Sequence, residues 1–207
     1  PFLRLSPSGE LKPYHKVQHW YALPLYSLAT ISWILMKDFK QLATYNRTGM
    51  TQKHGFHPTN ETIKMILGKG LYVFFIIVLP ILLGVAWWAV LVGFVIMHML
   101  AGLYITIVFQ LAHVVEGPNH HEPPADGNME DTWAIHQLKS TANFACNNRL
   151  VTWLVGGLNF QIEHHLFPNI SHVHYRNIAK IVKKTANEFN LPYYEHERFR
   201  GAVRSHL

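Results

Sequence analysis

Residues 71–111, LYVFFIIVLPILLGVAWWAVLVGFVIMHMLAGLYITIVFQL, contain no Asp, Glu, Lys or Arg. One helix needs about 20 apolar residues to cross a bilayer, so this run is long enough for two and predicts a transmembrane helical hairpin. Pro80 and Gly84 loosen its middle, and Trp87 with Trp88 suit the far membrane interface. A buried soluble hairpin would need more covering chain than 207 residues supply. Only 14% of the residues are charged, against about 25% in ordinary soluble domains.

Charge fixes the expected orientation. The segment 37–70 carries Lys37, Lys40, Arg47, Lys53, Lys64 and Lys69 against Asp38 and Glu61, and Arg149, Arg176, Lys180, Lys183 and Lys184 follow the hairpin. Under the positive-inside rule both flanks are cytoplasmic. The shorter run WYALPLYSLATISWILM at 20–36, diluted by Pro24, Ser27, Thr30 and Ser32, is expected to lie in the membrane plane, because a third span would break that parity. The formal charge of +6 comes without the basic stripe or aromatic ladder of a nucleic-acid binder, and suits lipid headgroups or an acidic protein.

The expected fold class is therefore an all-α membrane protein, with one transmembrane hairpin, interfacial helices and a cytoplasmic His-rich helical domain. Its expected parts are a cytoplasmic or interfacial segment over 1–70, the hairpin over 71–111 and a cytoplasmic domain over 112–207. Within the last, His113–Thr132 reads as a loop and Trp133–Leu158 as helical. Ser171 is expected to cap a basic amphipathic helix over 172–189, with Ile178, Ile181, Val182 and Phe189 on one face. The chain opens on Pro1 and shows no signal peptide, which reads as a chain lacking its natural start.

Fifteen histidines outnumber the twelve acidic residues, and imidazole is the commonest protein metal ligand. With Cys146 as the sole cysteine, any metal here would take imidazole, carboxylate or amide rather than a thiolate set. In GGLNFQIEHHLFPNIS, Gln161, His164 and His165 stand at i, i+3 and i+4, so on a helix all three can converge on one region. Ligand type alone leaves iron, zinc and copper open. Glu163 points elsewhere and suits orienting a histidine by accepting its second N–H. His113, one turn after Gln110, closes the second span and can face either headgroups or a site beneath the membrane. His15 and His19 in HKVQH have a formal metal spacing but also suit headgroup contacts. His120 and His121 sit in the Pro-rich loop.

The stretch GGLNFQIEHHLFPNISHVHY closely resembles the third histidine box of integral-membrane fatty acid desaturases, in its front-end, linoleoyl-CoA desaturase-like branch. TIVFQLAHVVEG, WAIHQLKSTANF and LKPYHKVQHWYALPLYSLAT resemble the family's flanking stretches, so the likeness covers nearly the whole chain. It implies a fatty acyl desaturase with a histidine-ligated centre of two non-haem iron ions, dioxygen as co-substrate, and electrons from a ferredoxin or a b-type cytochrome. The implied metal ligands are His113, His164 and His165, which would also be the catalytic residues, with Gln161 in or beside the shell through water. The implied partners are a CoA-, lipid- or carrier-linked fatty acyl substrate, a redox donor protein and the bilayer, with no nucleic acid. The implied location is a bacterial inner membrane or the endoplasmic reticulum, with the site on the cytoplasmic side.

The family's first two boxes, HxxxH and HxxHH, belong upstream of Pro1, so this chain is expected to be the C-terminal portion and to hold part of the site. HKVQH stands in the wrong place for the first box. A related membrane hydroxylase, a sphingolipid desaturase and a non-catalytic metal-binding membrane fragment are the rival readings.

Overall fold

The computed structural model describes residues 2–6, 9–118 and 131–206; His120 and His121 lie outside them. The chain is mostly helical and divides into two compact units, one of residues 21–106 and one of residues 1–20 with 107–207.

The first unit opens within α1 (Gln18–Ser27), followed by α2 (Ala29–Ser32) and a wider-wound turn, Trp33–Lys37, that leads into α3 (Asp38–Arg47). After α4 (Met50–Lys53), Pro58 starts α5 (Pro58–Val73) at a position where its missing N–H costs nothing. A second wide turn, Phe74–Val78, connects α5 to α6 (Leu79–Leu82). It lies just before Pro80, which cannot donate to the usual carbonyl, and a wide turn is one way a helix absorbs that lost bond. The apolar helix over Pro58–Leu82 therefore begins well before the uncharged run. Residues 83–86 turn the chain, with Gly84 in the left-handed region, into α7 (Trp87–His113). Both helices are long and apolar enough to cross a membrane, and most of their large side chains are exposed.

The α1–α3 run lies across these two helices. It meets α7 where Gly102 admits the Ser27 carbonyl, so close that a Cβ there would stand 2.5 Å from it, and where Thr30 Oγ1 donates to the His98 carbonyl at 2.8 Å. It meets α5 where Lys69 Nζ donates to the Ile34 carbonyl at 2.6 Å and pairs with Asp38 at 2.9 Å. Tyr72 OH, 2.7 Å from His98 Nε2, ties α5 to α7.

The second unit differs from the helical expectation. Between 133 and 158 there are two short helices, α8 (Trp133–Ser140) and α9 (Arg149–Leu154), separated by strand β1 (Ala142–Phe144). Ala145 at φ 49° ends the strand, and Asn148 caps α9 by accepting from the Leu150 and Val151 N–H groups. Then come α10 (Gln161–Leu166), α11 (Tyr175–Glu188), β2 (Tyr194–His196) and α12 (Phe199–His206). β1 and β2 pair in parallel, with Asn143 opposite Glu195, a two-stranded ladder of three residues each within a mostly helical fold, as the all-α expectation had it.

The basic helix also starts later than expected. Ser171 makes no side-chain cap; His172–His174 form a 3₁₀ turn and α11 begins at Tyr175. Tyr175, Val182 and Ala186 form its buried face with Ile178 packed beside them, whereas Ile181 and Phe189 are exposed. Three apolar clusters close this unit: Leu111, Ala112, Phe144, Ala145 and Ala202; Leu138, Ile162 and Val182; and Cys146, Phe160 and Tyr175.

Candidate metal centre

α10 is a single short helix, and Ile162, fully buried in the cluster with Leu138 and Val182, sets its rotation. With Ile162 inward, Gln161 and His165 share a neighbouring side at i, i+4. The last turn of α7 brings His113 to the same place, held there by Leu111 and Ala112 in their own cluster.

Three side chains meet. The amide nitrogen of Gln161 lies 3.1 Å from His165 Nε2 and 3.3 Å from His113 Nε2, and the two imidazole centroids are 5.1 Å apart. Each ring is fixed from behind: His165 Nδ1 lies 2.5 Å from Gln137 Oε1, and His113 Nδ1 lies 3.4 Å from the Ser140 carbonyl. A carbonyl oxygen only accepts, so both Nδ1 atoms carry the proton and both Nε2 lone pairs face the Gln161 amide. Burial, and next the proximity of His113 and His164, push the His165 pKa down to about 4. The ring is thus neutral at physiological pH, the form in which it can bind a metal.

His164 stands beside this group, its centroid 5.8 Å from that of His165. Its Nδ1 lies 3.3 Å from the hydroxyl of buried Tyr175. Among the described residues, no group of three His, Cys, Asp or Glu side chains could by itself hold a metal ion. The donor set still fits part of an imidazole-ligated metal: two pre-oriented Nε2 atoms, a third imidazole nearby and an amide whose reversal would present its oxygen. Gln110 Oε1, one turn before His113, is buried without a hydrogen-bond partner among the described residues.

Glu163 does not orient a histidine. It is fully buried, accepting from Asn143 Nδ2 at 2.8 Å and Tyr193 OH at 2.9 Å, while Asn143 Oδ1 accepts the Ile162 N–H at 2.9 Å. Desolvation raises its pKa against the pull of those two donors. Asn143 and Glu163 thus clamp α10 onto the β1–β2 ladder. His15 and His19 do not converge either. His15, in the 3₁₀ turn Pro13–Val17, is buried and accepts from the Lys12 N–H at 3.1 Å, while His19, at the start of α1, is exposed beside Trp20. Cys146 is buried, and burial raises its thiol pKa.

Gln137, Ser140 and Tyr175 were not among the expected site residues. Gln137 lies in WAIHQLKS and Tyr175 ends HVHY, but no period along the chain marks a partner 28 positions from His165.

Residues 4–197 match the family described as fatty acid desaturase. The chain is 37% identical to the sn-1 linoleoyl-lipid 6-desaturase of Arthrospira platensis, over 97% of this chain and 54% of that protein. It is 34% identical to the protein of the same name from Synechocystis sp. (strain ATCC 27184 / PCC 6803 / Kazusa), over 98% of this chain and 56% of the relative. A third relative, the acyl-lipid (8-3)-desaturase of Physcomitrium patens, is 36% identical over 99% of this chain and 42% of its own length. The chain thus spans about half the length of these curated relatives. No solved structure matches.

Proposed function

Because this chain belongs to the fatty acid desaturase family, we propose that it supplies part of a histidine-ligated iron centre that inserts a double bond into a fatty acyl chain. The observation that carries this reading is the convergence of His113 Nε2 and His165 Nε2 on the Gln161 amide, each ring anchored at Nδ1 by a carbonyl oxygen. Metal-ligating imidazoles are held in this way.

His113, His164 and His165 are the proposed ligands and catalytic residues, with Gln161 adding its amide oxygen or holding a bound water. Two non-haem irons, when bound, supply dioxygen-dependent oxidation of an unactivated C–H bond. The chain's own work is to hold that chemistry in place. Gln137 and Ser140 keep two imidazoles in the metal-binding tautomer, Tyr175 steadies His164, and the Asn143–Glu163–Tyr193 cluster fixes the helix that carries two of the ligands. The remaining ligands would come from a longer natural chain, and electrons from a separate ferredoxin or b-type cytochrome.

The relatives' names point to a lipid-linked acyl chain as substrate. α5–α6 and α7 are the proposed spans. By the positive-inside rule, the site would then lie on the cytoplasmic side, and the α1–α3 run, which meets both spans, would lie in the membrane plane.

The test is iron content of the complete protein purified in detergent, beside His113→Ala, His164→Ala and His165→Ala variants and the 207-residue chain alone. About two irons per complete chain, lost in the variants and absent from the short chain, is the expected result. Iron retained in all three variants, or a full complement held by the short chain, would overturn the reading.

A further inference from the structure

α9 turns its back on the core. Val151 packs on the cluster around Phe144, whereas Leu150 and Trp153, at i and i+3, are 64% and 77% exposed. Beside them Val173 is 67% exposed. The two segments are locked together: a Cβ on Gly157, whose φ is 78°, would lie 2.7 Å from the His172 Cβ, so only glycine lets the 172–173 turn seat on the end of α9. Trp153 and Val173 share a cavity of about 330 Å³ with Arg149, Thr152, His172 and Arg176. Among the described residues neither Arg149 nor Arg176 has a carboxylate partner.

We propose that this face is a membrane-docking surface, with Leu150, Trp153 and Val173 entering the acyl boundary and Arg149 and Arg176 binding lipid phosphate. Large apolar side chains held in the open by a rigid turn are costly in water and gain about 25 cal/mol for each Å² of apolar surface withdrawn from it. Tryptophan beside arginine is the composition of the bilayer interface, where the ring sits among headgroups and the guanidinium meets phosphate. An acidic protein partner would account for the arginines but not for three exposed apolar side chains beside them. The chain also places this unit at a membrane. The proposal rests on reading α7 as a span, and the last turn of α7 belongs to the same compact unit as α9.

The experiment places an environment-sensitive fluorophore on single cysteines at Leu150→Cys and Val173→Cys, and at Leu91→Cys on the exposed side of α7, in the complete protein in nanodiscs. Cys146 is buried and does not compete for label. The discs contain phosphatidylglycerol with or without a phospholipid carrying a spin label high on its acyl chain. Loss of most of the emission at 150 and 173 with the spin-labelled lipid, alongside quenching at 91, is the expected result. Arg149→Gln with Arg176→Gln should weaken the docked fraction by roughly fivefold per arginine at low salt. Quenching at 91 alone would overturn the docking surface while leaving the span intact. A blue shift at 150 without lipid quenching would overturn it too, because protein would then be the cover. No quenching at 91 would remove the span reading and this inference with it.

Discussion

Glu163 illustrates what a single residue hides in a linear reading. Its place in QIEHH suggests work on a neighbouring histidine, yet Asn143 and Tyr193, 20 and 30 positions away, hold its buried carboxylate. The nearness of Gln161 to His165 was legible because helical spacing relates them locally. The clamp was not, because nothing local relates Glu163 to its partners. A second long-range contact gives a pH prediction. His206 Nδ1 donates to the Val114 carbonyl at 2.6 Å, just beyond the end of α7, and burial lowers its pKa, partly offset by that bond. The unfolded chain therefore takes up the proton first. Stability is fully present above the ordinary histidine value near 6.5 and is lost as pH falls below it toward the lowered folded value. His206→Gln, which keeps an amide donor but does not titrate, should flatten that loss in melting temperature measured between neutral and mildly acidic pH.

Among elements, the apolar run announced two long helices, because a hydrophobic stretch without charge has few other outcomes. Their outer limits were less visible. Pro58 starts the first helix through amphipathic sequence that still carries Glu61, Lys64 and Lys69. The β1–β2 ladder was invisible, since three-residue strands leave no alternating pattern to read. The crossing of α1 over α7 turns on one atom's absence. Gly102→Val would drive its side chain into the Ser27 carbonyl, and overpacking of this kind costs about 1–3 kcal/mol. A lowered melting temperature in detergent is expected, with the His113–His165 site unaltered in iron content. An unchanged melting temperature would show that the crossing is not tight.

At the scale of the whole molecule, the proposed pair of spans, two long apolar helices joined by a four-residue turn, would return the chain to the side it left. Cysteines at Lys53 and Asn187 should therefore react with a membrane-impermeant maleimide from one face of sealed vesicles, and a cysteine at Val85 from the other. Labelling of 53 and 187 from opposite faces would mean an odd number of crossings. The parallel pairing of β1 with β2 also orders events during synthesis. Asn143 meets Glu195 about fifty positions later, a contact that no local segment can make early. QIEHH leaves the ribosome well before the strand that completes its clamp, so the histidines spend that interval without their final scaffold. Loading of a metal at the proposed site is consequently expected to be a late act, open only once Tyr193 and the strand that follows it have been made.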